Sequence, residues 1–162
     1  MYEYRKLTPH ERSELVRERL RLGYPPHSPP HLGEDNTLYL LTATCYNHTD
    51  YMNCEERRKY VLDSLFELFI INGMEIYAWV VLPNHYHILA TVVEFKKLGY
   101  IFRLIHGRTA RKWNQEENVL NRKIWYRYTD RAIRSERHYF TTVNYIHRSY
   151  AVRGRLGVFG RA

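Results

Sequence analysis

The residues whose spacing carries the most chemistry are His85 and His87, on either side of Tyr86. An apolar run over 74–82, a break at Pro83 and Asn84, and a second apolar run over 88–93 are each rich in Val, Ile and aromatic or β-branched residues. Runs of strand length on either side of a short break read as adjacent antiparallel strands. Alternation along the second strand sends His85 and His87 to the face of Leu89 and Thr91, and Tyr86, Ile88, Ala90 and Val92 to the other. By strand rise the two imidazoles stand about 7 Å apart, close enough to share one divalent ion if a third ligand and waters complete its shell. The competing reading is a pair of polar residues on a solvated face, and spacing alone does not choose between them.

A second concentration of chemistry is cationic. Lys96, Lys97, Arg103, His106, Arg108, Arg111 and Lys112 share one segment with Leu98, Ile101, Phe102, Ile105 and Trp113, and no acid occurs over 96–115. The apolar residues recur at helical intervals, and unbalanced positive charge on the rest of such a helix suits phosphates better than a plain solvated face. The whole chain agrees: 25 Lys and Arg against 17 Asp and Glu among 162 residues give +8, so the expected partner is anionic, with nucleic acid first. Fifteen tyrosines add surfaces on which bases could stack. Two cysteines, Cys45 and Cys54, are too few for a disulfide framework or a Cys-rich zinc site and fit a reducing compartment. With no charged-then-apolar leader and no apolar run near the roughly 20 residues that span a bilayer, the expectation is a soluble cytoplasmic protein with no membrane partner.

The elements that must position these residues follow from pattern. An N-terminal arm over 1–36 combines a capping box at Thr8 and Glu11, a short charged helix stopped at Gly23, and a Pro-rich connector carrying His27 and His31 as exposed linker residues. The helix could dock or remain a solvated arm. A domain over 37–150 then offers a strand over 37–46, a helix capped by Asn53 and ended at Asn72-Gly73, the two strands around Pro83-Asn84, the cationic helix, a strand over 123–133, and a last helix opened by Ser135 and Glu136. On that last helix His138, Thr142, Tyr145 and Ser149 share a polar stripe, so Tyr145 stands apart from the packing residues. Residues 151–162 form a Gly/Arg-rich tail. The order strand, helix, strand, strand, helix, strand, helix predicts an α+β ferredoxin-like sandwich, an antiparallel sheet with helices mainly on one face.

Three motifs together resemble a known family. They are Ala78-Trp79-Val80-Val81-Leu82-Pro83-Asn84-His85-Tyr86-His87-Ile88-Leu89, Ile105-His106-Gly107-Arg108-Thr109-Ala110-Arg111, and the stretch from Trp125-Tyr126-Arg127-Tyr128 through Asp130-Arg131 into Asn144-Tyr145-Ile146-His147. In these the chain resembles the REP-associated tyrosine transposases, a bacterial branch of the single-tyrosine HUH transposases. The resemblance implies a metal-dependent single-stranded DNA endonuclease and strand transferase acting beside REP-like hairpin palindromes. It implies Tyr145 as the nucleophile that forms a 5′-phosphotyrosine link, His85 and His87 as ligands of Mg²⁺ or Mn²⁺, DNA contacts that include Arg127 and Arg131, and a bacterial protein acting as a monomer or homodimer. A phenol titrates near 10 and is a weak nucleophile at neutral pH without a metal or base to assist it.

The chain departs from the family at one point that bears on mechanism. Where the family has Asn one helical turn after the tyrosine, placed to help ligate the metal, this chain has Ser149, followed by Tyr150 instead of Pro. Ser149 then takes the place of the third ligand, and the tail after it resembles a decayed end more than a folded element. The alternative expectation is a catalytically impaired module that still binds the DNA hairpin through its basic helix and aromatic residues.

Overall fold

Strands β1 (Thr37–Thr44), β2 (Ile76–Val81), β3 (His85–Val92), β4 (Thr129–Ala132) and β5 (Val158–Arg161) form one antiparallel sheet in the order β4-β1-β3-β2-β5 in the computed structural model. The structure describes residues 7–23, 35, 37–153 and 158–161. The first four strands have the ferredoxin-like order, and four helices complete an α+β fold: α1 (Pro9–Arg21), α2 (Glu55–Ile71), α3 (Phe95–Glu116) and α4 (Glu136–Arg153). Among the described residues no helix is long and apolar enough to cross a membrane.

The two faces of the sheet bury different partners because side chains alternate along each strand. Tyr39, Leu41 and Ala43 of β1 and Tyr86, Ile88, Ala90 and Val92 of β3 pack against Val61, Leu65 and Phe69 of α2 and Leu98, Ile101, Phe102 and Ile105 of α3. The opposite face is smaller. There Ala78, Val80 and Leu89 meet Val143 and Ile146 of α4, with Leu82 beside them. Full burial of side chains such as Ile146 contributes about 1.5–3 kcal/mol each, enough to seat α4 on this face despite its polar outer side. Helices α2 and α3 therefore cover one face and α4 the other, and His85 and His87, in phase with Leu89, project toward α4.

Local signals explain the element ends. Thr8 caps α1, accepting from the Glu11 backbone N–H while Glu11 accepts from the Thr8 backbone N–H. The turns after α1 and α2 place Gly23 at φ +83° and Gly73 at φ +68°, where a Cβ would be strained. Leu82 N–H bonds the His85 carbonyl at 2.8 Å across the Pro83-Asn84 turn, closing the β2–β3 hairpin.

Several boundaries differ from expectation. The cap of α2 is Cys54, with no side-chain cap bond, and Asn53 lies outside it. The strand expected over 123–133 pairs only over Thr129–Ala132; before it, Trp125 makes an isolated bridge to Cys45, and Ile124 to Tyr126 sink their side chains into the body of the domain. The tail is not outside the fold: α4 runs through to Arg153, and β5 pairs along β2. The C-terminal end of α1 docks, because the Arg127 N–H donates to the Gly23 carbonyl at 2.6 Å. The Pro-rich connector, with His27 and His31, lies outside the described residues.

Candidate active site

The pairing of β1 with β3 sets Thr42 directly opposite His87 and Thr44 opposite His85, all on the α4 face. His87 is 5% exposed. Its Nδ1 lies 2.7 Å from the Thr42 hydroxyl, and its Nε2 lies 3.2 Å from the Tyr145 hydroxyl. With the phenol donating to Nε2, Nδ1 carries the proton and donates to Thr42. His85 is fixed from the turn side, its Nδ1 lying 2.6 Å from Asn84 Oδ1. The Asn84 amide has one orientation, since its Nδ2 donates to the His48 carbonyl at 3.1 Å, which turns Oδ1 to the imidazole and puts the proton of His85 on Nδ1. In this tautomer each Nε2 carries a lone pair able to ligate, that of His87 once the Tyr145 hydroxyl releases it.

The imidazoles have ring centroids 5.0 Å apart, and the Tyr145 ring lies 5.1 Å from that of His87. Tyr145 is 49% exposed, so its hydroxyl borders both the histidines and solvent. Two neutral imidazoles held by oxygen partners are a donor set that suits Mn²⁺ better than Mg²⁺. No group of three His, Cys, Asp or Glu residues is placed for a metal among the described residues. Ser149 does not turn to the histidines: its hydroxyl donates to the Tyr145 carbonyl at 2.8 Å, one turn back in its own helix. Arg131 sits opposite Leu40 in the β1–β4 register, on the α4 face, and with Arg134 it helps lower the pKa of His138, after the larger effect of burial.

The cationic helix stands elsewhere. Helix α3 packs on the face opposite Tyr145, so the sheet separates Lys96, Lys97, Arg103, Arg108, Arg111 and Lys112 from the histidines. All six of these are exposed. Lys97 pairs with Glu94 at 3.0 Å and Lys112 with Glu116 at 3.1 Å, acids that flank the acid-free stretch, whereas Arg108 and Arg111 have no acidic partner among the described residues. Arg127 binds the end of α1, donating from its guanidinium to the Leu22 carbonyl at 3.3 Å.

Among solved structures that resemble this one is a REP-associated tyrosine transposase bound to a REP hairpin, with a TM-score of 0.58 at 20% identity over 78% of this chain and 73% of the other. The chain has the fold of that tyrosine transposase. A protein of Deinococcus radiodurans with a provisional transposase assignment also matches, with a TM-score of 0.47 at 18% identity over 74% of this chain and 96% of the other. No protein-family model matches the chain, and no curated protein is similar to it.

Within this fold His106, expected among the DNA-binding cations, points inward, unlike Arg103, Arg108 and Arg111 beside it. Its ring stacks on Trp125 at 4.5 Å and 12°, and its Nε2 accepts from the Tyr86 hydroxyl at 2.8 Å. The helix carries cations on its outer side, but this ring turns inward to satisfy a buried phenol. Burial pushes the His106 pKa down to about 3. Sequence reasoning also left Thr42 and Asn84 without roles. Asn84 adjoins His85 and could have been suspected, while Thr42 becomes visible only through the register of β1 on β3.

The His106 environment has a measurable consequence. Unfolded, the imidazole binds a proton below about 6.5, and folded only below about 3. Between those values the unfolded state holds more protons, so this group's contribution makes stability rise with pH and fall on acidification. Asp130, raised from 3.8 to about 6 by burial, acts oppositely between those two values, because there the folded state holds the extra proton. His106→Phe keeps an aromatic ring on Trp125 and should remove about one proton from the slope of unfolding free energy against pH between 3 and 6.5. Denaturant titrations at stepped pH measure it; an identical slope in both proteins would contradict an imidazole kept neutral by its packing on Trp125 and Tyr86.

Proposed function

We propose that this chain is a single-stranded DNA endonuclease and strand transferase of the REP-associated tyrosine transposase class, with Tyr145 as the nucleophile. The observation that carries this reading is the Tyr145 hydroxyl, half exposed and 3.2 Å from Nε2 of a histidine in a His-x-His pair. Tyr145 Oη attacks the scissile phosphorus in line, the bond to the 3′-oxygen breaks, and a 5′-phosphotyrosine link forms. The phenolic proton passes to solvent water at the half-exposed Tyr145 as the new bond forms, and the departing 3′-oxygen takes one up from water. Attack on the link by another 3′-hydroxyl reverses these steps and joins strands without an external energy source.

His85 and His87 would hold Mg²⁺ or Mn²⁺ through Nε2, where it would polarise the phosphate as a Lewis acid. Thr42 and Asn84 keep both rings in the ligating tautomer. Seating α4 on Ala78, Val80 and Leu89 keeps Tyr145 beside His87. The REP hairpin bound by the structural neighbour suggests hairpin-bearing single strands as the substrate. Arg108 and Arg111 would hold part of that DNA by its phosphates on the far side of the sheet.

A second reading, a hairpin-binding module that no longer cleaves, is favoured by the Ser149 hydroxyl being engaged with the Tyr145 carbonyl and by the two-histidine donor set. One experiment separates the two. Incubated with hairpin-bearing single-stranded DNA and Mn²⁺, the parent should give a covalent protein–DNA band on a denaturing gel. Tyr145→Phe and the His85→Ala/His87→Ala double variant should give none while still binding the hairpin. Binding without a band in the parent would leave the module reading.

Two further outcomes follow from the site. Thr42→Val removes the acceptor for His87 Nδ1–H while keeping the shape, and should raise the Mn²⁺ concentration for half-maximal cleavage about 10 to 100-fold; an unchanged titration would mean that Thr42 does not orient the ring. Arg108→Ala/Arg111→Ala should weaken hairpin binding and reduce the slope of log affinity against log salt by about 1.4 to 1.8. An unaltered slope would remove these arginines from the DNA path.

A further inference from the structure

A cleft of about 380 Å³ opens on the α3 side of the sheet, in the size range of small-molecule sites. Its lining is aromatic: the partly exposed rings of Tyr128 and His106 are backed by the buried Phe102 and Trp125, at 4.2 Å and 4.5 Å, with the buried Tyr126 alongside. Its rim is cationic, carrying Arg103, Lys123 and Arg127. Arg103 lies over the Tyr100 ring, and Lys123 over the rings of Tyr46 and Tyr126, so these cations rest on aromatic faces and, among the described residues, not on carboxylates. None of this is used by the tyrosine chemistry on the other face.

The cleft is nevertheless joined to the active site through the end of β1. Tyr126 N–H donates to the Thr44 carbonyl at 3.0 Å, and the Tyr126 hydroxyl to Asn47 Oδ1 at 3.2 Å. The same short segment takes the Asn84 side chain on the His48 carbonyl, and Cys45 N–H donates to the Asn84 carbonyl at 2.8 Å. One corner, 44–48, thus touches the residue that fixes His85 on one side and a wall of the cleft on the other.

We infer that this cleft is a nucleobase site: it takes an unpaired base of the single strand that rounds the 44–48 corner from the scissile phosphate, with aromatic walls for the base and cations for the flanking phosphates. Stacking planes ringed by positive charge are what a single strand requires and a duplex, with its bases enclosed, does not use. The inference rests on the DNA strand-transfer reading above and adds to it a second contact, on the opposite face from Tyr145.

Gly99 makes the test possible. It lies on α3 at the wall of the cleft, and a Cβ built there meets nothing within 4 Å, so Gly99→Leu adds bulk at that wall with no clash at Cβ, without removing charge, and with a better helix former. The probes are a thymidine 12-mer and an abasic 12-mer with the same phosphates, binding measured by fluorescence anisotropy across a salt series. The parent should prefer the thymidine strand, and Gly99→Leu should lower affinity for that strand about tenfold while leaving the abasic strand and both salt slopes unchanged. Equal binding of the two strands by the parent, or thymidine binding untouched in Gly99→Leu, overturns the cleft alone. A parent that binds neither strand also overturns the cleft, whereas the DNA reading itself falls only if the hairpin is not bound either.

Discussion

The candidate site depends on one pairing register. Because β1 runs antiparallel to β3 with Thr42 across from His87, a hydroxyl waits at Nδ1 of a ring that burial would otherwise leave to choose its own orientation. A slip of one residue would send every β3 side chain to the other face, putting His87 among the apolar residues of α2 and α3 and Tyr86 against α4. The buried faces resist that slip: Tyr86, Ile88 and Ala90 are enclosed on one side and Leu89 on the other. The hydrophobic pattern that forms the sheet is therefore also what aims the imidazole. Helix α4 supplies the other half through Val143 and Ile146, whose burial holds Tyr145 against His87 of the central strand while its ring stays half in solvent.

The sheet divides the molecule's chemistry between its faces. On one lie the two histidines, Tyr145 and Arg131; on the other lie the basic helix and the aromatic cleft. A DNA strand that used both would have to pass around the end of β1, where Asn47 and His48 adopt positive φ and form the short bend that links Asn84 to Tyr126. The proposed phosphate contacts and the proposed strand chemistry would therefore be separable by mutation, since they lie on opposite faces of the sheet.

Much of the frame was legible in the sequence, for physical reasons. Period-two alternation around Pro83-Asn84 defined the hairpin and the shared face of His85 and His87, the Thr8–Glu11 capping box started α1, and the polar stripe of the last helix set Tyr145 apart from Val143 and Ile146. What failed depended on long-range packing. His106 occupies a cationic helix, and only the inward-facing Tyr86 hydroxyl and the Trp125 ring reveal why it turns to the core. Residues 123–128 have strand-like composition but spend their aromatic side chains on the domain body, leaving Thr129–Ala132 to pair. The terminal strand lacks an apolar run long enough to announce itself and is recruited by the open edge of β2. Ser149 is where the resemblance suggested a ligand, yet a short hydroxyl on a helix finds its own backbone carbonyl first.

In the proposed site Thr42 and Asn84 would set two imidazoles to ligate one ion through Nε2 beside Tyr145. Pulsed electron paramagnetic resonance of the Mn²⁺-loaded protein measures this directly, by counting the imidazole nitrogens coupled to the ion. Two coupled nitrogens, falling to one in either His85→Ala or His87→Ala, are expected. A single coupled nitrogen, or coupling that survives replacement of both histidines, would contradict the claim.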